Sequence, residues 1–443
     1  MKKLARGFTL LETLVASALL FMFLAGVLVI LQILMRSVGE ARLRLVASSL
    51  ASERLETAKN LPYEVLGTVG GIPPGDLPQS ETVTQNGQDF VVTTAVVYID
   101  DGFDGVLPED PIPNDYKRVR VTVTWAGVFQ PKNPLVMATD VAPPGIESIA
   151  NAGTLLIQVL DSAGLPVSTA NVSIEASSLS PPIDLDTTSD ADGRVMLPGA
   201  PECIECYRIL VTKNAYSTDQ THVTAEVANP IKPQLSVFEG QLTQSSFAID
   251  RFANLTVRAT RSRQAGYATF PGVQFTLRGS KTIGTDTLAN PVYKYQQNFI
   301  TGGLGQVVLP NLEWDLYDLF LPTGSSIDIA GSVPLIPFPL LSGTSPTITI
   351  VTTANTANSL LFSVEDNADV LLPLASITLF DQSTPVATLS AGEAGKGDQG
   401  QAYFGGLSVQ NYDFLVTLSG FTDATGSVTP VGDIYESIIL STP

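Results

Sequence analysis

The hydrophobic pattern of this chain changes its period once, and the change separates a helical entrance from a β body. Residues 13–35 form an uncharged run of 23 positions dominated by Leu, Val, Ala, Phe, Ile and Met. At 1.5 Å per helical residue such a run crosses a hydrocarbon layer about 30 Å thick. Past it, Leu43, Val46, Ala47 and Leu50 recur at i, i+3, i+4 and i+7, the spacing of one helix face, until Pro62 stops the pattern. The spacing predicts one helix over residues 8–62, about 80 Å long. Residues 13–35 would be its membrane part, and the remainder would pack on a head spanning 63–140. After Pro62 the period is two. Residues 90–99 are β-prone, and 118–125 alternate strictly, with Val119, Val121, Val123 and Trp125 on one face and Arg118, Arg120, Thr122 and Thr124 on the other. These two strands are expected to cover the helix, and no further amphipathic helix is visible.

Beyond a turn-rich linker at 141–145, three stretches repeat one plan. Each has an opening strand (155–160, 255–259, 360–364), a second strand (173–176, 273–277, 375–380), a glycine (Gly193, Gly305, Gly400) and then a tyrosine (Tyr207, Tyr317, Tyr412). The glycine-to-tyrosine offsets are 14, 12 and 12 residues, and successive tyrosines lie 110 and 95 residues apart, so each unit is long enough for a β-sandwich. The expected fold is mainly β with one long N-terminal α-helix: an α+β head, then about three antiparallel β-sandwiches in tandem at 150–248, 250–352 and 356–443.

Charge sharpens this division. The 443 residues carry a net charge of −19, but residues 1–60 hold eight basic and four acidic side chains, leaving −23 for the rest. From residue 295 to the end Lys396 is the one basic residue against 14 acids, which excludes nucleic-acid binding by the acidic body. One histidine, His222, and two cysteines leave no inventory for a His-rich metal cage or a multi-disulfide framework. Lys2, Lys3 and Arg6 precede the apolar run, which places the N-terminus in the cytoplasm and the body outside. A secretory signal cut near Ala16-Ser17-Ala18 is the alternative. Glu12, at the mouth of the span, is a carboxylate that needs a partner.

The stretch Gly7-Phe8-Thr9-Leu10-Leu11-Glu12, behind a basic leader and ahead of a long apolar run, resembles the class III signal of type IV pilins and pseudopilins. The resemblance implies a leader of residues 1–7, prepilin peptidase cleavage between Gly7 and Phe8, and methylation of Phe8. It also implies that Glu12 pairs with the free amine of a neighbouring subunit during assembly. The partners implied are other pilin subunits through the helix, the peptidase and membrane lipid. Residues 51–63 also look like the helix end of minor pilins. In the body, 164–172, Asp190-Ala191-Asp192-Gly193 and the strand from Tyr207 resemble carboxypeptidase regulatory-like domains, transthyretin-like and Ig-like sandwiches related to collagen-adhesin B-type repeats. Some such repeats carry an isopeptide from a first-strand lysine. Residues 155–160 and 360–364 hold none, so that crosslink is not expected in the first or third unit.

Other candidates are local. Asp100, Asp101 and Asp104 lie in an acidic turn-rich segment that offers oxygen ligands to Ca2+, although the spacing is not that of an EF-hand. Cys203 and Cys206 form a C-x-x-C that leads into a strand, which favours a loop disulfide over a redox or zinc role. Glu313-Trp314-Asp315 gathers acids around an aromatic, as a sugar platform or a glycosidase carboxylate pair would, but the repeated tyrosine beside it favours core packing. The Pro-rich apolar strip 333–341 is read as packing. No catalytic residue and no cofactor is assigned. The expected function is a minor pilin-like surface protein that displays its sandwiches for adhesion or assembly. The alternatives are a pseudopilin of a type II secretion or DNA-uptake machine, and an anchored binding protein outside any filament.

Overall fold

One helix, Leu10–Lys59, runs for 50 residues without a break. The computed structural model describes residues 10–99, 115–127, 130, 133–143 and 151–443, with the side chains of 10–13 and 16–18 outside the description. The C-terminal half of the helix buries Ala47, Leu50, Ala51, Leu55 and Ala58 against the head sheet, with Leu43 and Val46 packed alongside. That sheet is an antiparallel meander of Ser80–Gln85, Gln88–Ile99, Tyr116–Trp125 and Leu135–Val141. Its first hairpin turns on Asn86-Gly87, both left-handed (φ 53° and 76°), the pair that a two-residue turn of matching twist requires. The alternation read from the sequence is realised: Val119, Val121, Val123 and Trp125 face the helix. Phe90 meets Trp125 across the pair with ring centroids 5.6 Å apart.

The body contains three copies of one topology, each around its own apolar cluster. In the first module Ala152–Leu160 pairs antiparallel with Arg194–Pro201 and parallel with Leu242–Ala248. The second repeats this with Ala253–Arg261, Gln306–Leu312 and Thr347–Ala354. The third uses Ser359–Glu365, Gln401–Gly405 and Asp433–Ile439. The facing sheets centre on Asn171–Ala176, Gln274–Gly279 and Ser376–Asp381, each antiparallel to a strand on either side. Parallel pairing of first and last strands is the feature that the sequence did not disclose. It sends the chain out of a module at the end opposite its entry, so successive sandwiches follow one another instead of folding back.

The repeated glycine and tyrosine have definite jobs. Gly193, Gly305 and Gly400 are all left-handed (φ 72°, 69° and 67°). The carbonyl of each accepts a first-strand amide, from Val159, Ala259 and Val364 at 2.7, 2.8 and 2.9 Å. A Cβ there would meet packed atoms as well as an unfavourable φ. Tyr207 and Tyr317 are buried, and their hydroxyls donate to the Pro201 and Glu313 carbonyls at 2.7 and 2.9 Å; buried Tyr412 accepts from the Ser408 amide at 3.3 Å. The repeat thus recurs because each module needs one backbone crossing and one anchored corner.

Polar groups fasten the joints. The head docks on the first module where the Asp184 amide donates to Gly70 O at 2.7 Å and Ile72 enters that module's core. Between the first and second modules, Asn229–Pro230 adds as a strand to Thr282–Thr285. Asp250, just before the second module, accepts from the Ser162 amide and hydroxyl at 3.1 and 2.5 Å. Burial works to raise its carboxyl, but those bonds, with Ser342 and the Arg251 amide, hold it below the ordinary range. Between the second and third, the Arg263 guanidinium donates to Asp398 at 2.8 Å, to Ser390 O at 2.6 Å and to Gln401 O at 2.9 Å. The Tyr267 hydroxyl donates to the other oxygen of Asp398 at 2.8 Å, and Gln401 exchanges two bonds with the Ser332 backbone.

Asp398 is 3 % exposed, so removing its cation leaves a buried charge, a loss of about 3–5 kcal/mol. Arg263→Met is expected to loosen the joint by an amount in that range, and Tyr267→Phe by about 1 kcal/mol. Native-state hydrogen exchange at the Gly392 and Gln401 amides reads both changes. Unchanged protection in Arg263→Met would show that the network carries no load.

Candidate functional site

Gly7 and Phe8 lie outside the described residues, and Glu12 lies within the helix at a position whose side chain is outside the description. What surrounds them is defined by the next turns. From Leu19 (62 % exposed) through Phe21 (72 %) to Met35 (73 %) the large apolar side chains are exposed. Among the described residues this is the one helix long and apolar enough to cross a membrane. An apolar surface of this extent on all sides of a helix is stable in lipid or against other helices, not in water.

The helix is tied to the head by a buried amine. Lys117, 1 % exposed, continues the odd-numbered face of Val119, Val121 and Val123. Its ammonium donates to the carbonyls of Tyr63 and Leu66 at 2.7 and 2.8 Å, where the chain turns after Pro62. The Tyr63 and Tyr98 rings flank it at 4.5 and 5.2 Å. The Tyr98 ring in turn packs over Gly199 of the first module, where a Cβ would collide with it. Burial pushes the Lys117 amine down to about 8, with nearby Glu64 opposing the shift. Sequence reading placed Val119, Val121, Val123 and Trp125 on the inner face and stopped there, yet the same parity extended by two residues puts Lys117 inside.

The calcium candidates Asp100, Asp101 and Asp104 lie outside the described residues. Elsewhere no group of three or more His, Cys, Asp or Glu is placed to hold a metal among the described residues. The acids of Asp190-Ala191-Asp192-Gly193 are turn formers: one oxygen of Asp190 accepts from the amides of Asp192 and Arg194 at 2.9 and 2.8 Å. Asp161, Asp286 and Asp366 build the same turn. Cys203 and Cys206 are joined as a disulfide at the start of the strand Cys203–Thr212, with Glu205 between them left-handed.

A cleft of about 690 Å³ lies at the joint of the first and second modules, lined by Asp219, His222, Lys232, Lys281, Lys294, Glu313 and Trp314 among others. Here the Glu313-Trp314-Asp315 motif finds its place. Glu313 is held by Lys281 and Lys294 at 2.8 and 2.7 Å, and Lys294 also donates to Thr218 O across the joint at 2.8 Å. Asp315 accepts from the Ser280 hydroxyl and the Lys281 amide at 2.7 and 3.0 Å. Lys281 lies over the Trp314 indole, and His222 pairs with Glu226 at 3.3 Å. Both carboxylates of the motif are thus committed to cross-bracing, while three lysines gather in an otherwise acidic body. The strip 333–341 turns its Phe338 and Leu340 into the second module's core and leaves Leu341 exposed.

No family model matches the chain, and no curated protein matches it. Among solved structures it is similar to the Bacillus anthracis TIE protein, at 14 % identity and a TM-score of 0.20 over 83 % of this chain. The chain spans 61 % of the length of that protein. It is also similar to GBS52, the minor pilin of the gram-positive pathogen Streptococcus agalactiae, at 14 % identity and a TM-score of 0.17, covering 43 % of this chain and 96 % of that one. A third is the streptococcal ancillary pilin, at 12 % identity and 0.18, covering 66 % and 98 %. At these scores the likeness carries no argument about what this chain does.

The Lys117 clamp makes the head sensitive to pH. Its folded value near 8 lies below the unfolded lysine value of about 10.4. Below pH 8 both states carry the charge and the folded state bears the full burial penalty. Between about 8 and 10 the unfolded state binds more protons, so stability rises with pH. Above that, Tyr98, whose hydroxyl burial pushes up, ionises first in the unfolded chain and reverses the trend. With Trp314→Phe leaving Trp125 as the fluorescent reporter, the head's urea midpoint is expected to be higher at pH 9.5 than at 7.5, and Lys117→Met should flatten the difference. Equal midpoints in the parent would contradict the lowering of the Lys117 amine by burial.

Proposed function

We propose that this chain is a minor subunit of a type IV pilus-type filament, held by its N-terminal helix and presenting three sandwich modules outside the membrane. The observation that carries the reading is the continuity of Leu10–Lys59. One unbroken helix has its first half apolar on all described sides and its second half buried under a head sheet. A signal peptide has no need of that second half, whereas a subunit that stands in lipid and later packs against other helices needs both halves in one rigid piece.

In this reading Lys2, Lys3 and Arg6 hold the leader in the cytoplasm and cleavage after Gly7 exposes the Phe8 amine. Glu12 then meets the amine of a neighbouring subunit, so that two charges costly in an apolar layer neutralise each other. The three modules add far more bulk than every subunit of a packed filament would accommodate, which favours sparse or terminal positions. No catalytic role is assigned to the body.

Two measurements test this. Mass spectrometry of the mature N-terminus is expected to find N-methylated Phe8 in cells with a prepilin peptidase and Met1 in cells without it. Glu12→Val is expected to leave the protein in the membrane but out of filaments. A chain that keeps Met1 in both strains, or begins near Ala18, overturns the reading, as does normal incorporation of Glu12→Val.

A further inference from the structure

The last strands of the three modules occupy equivalent places but differ on their outer side. In the first module, Thr154 N donates to Gln241 O at 2.9 Å and Ile249 N to Leu160 O at 3.0 Å. Odd-numbered residues of Leu242–Ala248 therefore bond inward, and even-numbered ones direct their backbone outward. Those outward groups are capped by an ion pair. Ser246 O accepts from the Lys232 ammonium at 3.0 Å, and Ala248 N donates to Asp219 Oδ2 at 2.8 Å. The pair itself closes at 2.5 Å. In the second module the outer side of Thr347–Ala354 is closed by a whole strand, Ile327–Val333, running antiparallel.

In the third module Ser359 N donates to Gly432 O at 3.0 Å and Leu440 N to Glu365 O at 2.8 Å, so even-numbered residues bond inward. Asp433, Tyr435, Ser437 and Ile439 direct their N–H and C=O groups away from Ser359–Glu365, and Asp433–Ile439 pairs with no second strand among the described residues. Their side chains are exposed as well, Tyr435 at 46 % and Ile439 at 55 %. An unpaired row of backbone donors and acceptors beside exposed aromatic and branched side chains is a template for an added strand.

We propose that the outer edge of Asp433–Ile439 docks an extended, basic segment of a partner protein as an added antiparallel strand. The antiparallel sense follows Ile327–Val333, which closes the equivalent edge one module earlier. The basic character follows from charge: residues 356–443 hold ten acids against Lys396 alone. A second copy of this chain would bring one acidic edge against another and is disfavoured by the same count. The inference does not depend on the filament reading, because peptide binding at this edge is independent of the N-terminal helix.

The full chain in nanodiscs is titrated into a fluorescein-labelled heptapeptide, Thr-Lys-Val-Lys-Val-Lys-Thr, and binding is read by anisotropy. Ser437→Pro removes one outward donor and leaves the inward ladder intact, a setting in which a strand tolerates proline. It is expected to weaken binding about tenfold, while Ser437→Ala, which keeps the N–H, binds as the parent does. A twin peptide of equal charge, N-methylated on alternate amides, is expected to bind the parent as poorly as the unmodified peptide binds Ser437→Pro, and this comparison needs no variant to fold. Equal binding of the two peptides would reduce the attraction to charge alone and overturn strand addition. Dimerisation of the unliganded chain that Ser437→Pro abolishes would overturn the choice of occupant.

Discussion

The large apolar side chains from Leu19 to Met35 are exposed, while Ala47, Leu50, Ala51, Leu55 and Ala58 on the same helix are buried under a sheet. Because no proline interrupts Leu10–Lys59 and the helix is continuous, the two halves cannot choose their surroundings independently. Whatever medium satisfies the apolar half fixes where the head sits, and the head fixes the first module through Gly70, Ile72 and Tyr98. Burial of apolar area is worth about 25 cal/mol per Å², so a surface this extensive outweighs the individual polar contacts that orient the body. The hydrogen bonds at the joints set direction, and the helix sets place.

The joints use charge where the module cores use none. Each sandwich closes over aliphatic and aromatic residues, and ionic groups also gather where modules meet: Asp219, Lys232, Lys294 and Glu313 between the first and second, Arg263 and Asp398 between the second and third. An apolar patch at a joint tolerates sliding, since the hydrophobic effect has no preferred direction. A guanidinium bonded to a carboxylate and two carbonyls does not, because a small rotation breaks several bonds and strands a buried charge. Chains of small sandwiches therefore gain fixed angles from the polar groups that a single core would exclude.

The sequence disclosed whatever repeats with a period. Helix spacing located the buried face of Leu10–Lys59, alternation located the inner face of Tyr116–Trp125, and the glycine and tyrosine offsets located three equivalent modules. It was silent on contacts between residues far apart in number and unlike in chemistry. Lys117 was within reach, two steps along a face already assigned, but a lysine is discounted as core until the carbonyls of Tyr63 and Leu66 are seen to receive it. Arg263 with Asp398, 135 residues apart, has no local signature at all. Nor has parallel pairing of first and last strands, because pairing sense is decided by where the chain returns and not by what any strand contains. For the Glu313-Trp314-Asp315 motif, adjacency in sequence suggested a sugar platform or a catalytic pair, yet Glu313 takes the Lys281 and Lys294 ammonium groups and Asp315 the Ser280 hydroxyl and the Lys281 amide.

An open sheet edge is ordinarily a hazard, and charged residues on it are the usual defence against another edge. Asp433 and Glu436 on the last strand fit that role, but their effect depends on the sign of what approaches. Against another copy of this acidic body they repel at every register, and screening at physiological salt, with a Debye length of about 8 Å, does not remove repulsion between strands under 5 Å apart. Against a strand carrying lysine or arginine the same carboxylates attract, and the backbone groups of 433, 435, 437 and 439 are then free to bond. The first module satisfies its edge internally with Lys232 and Asp219, and the second with Ile327–Val333, whose Ser332 also bonds Gln401 of the next module. The charge that keeps identical copies apart thereby selects which foreign strand is admitted.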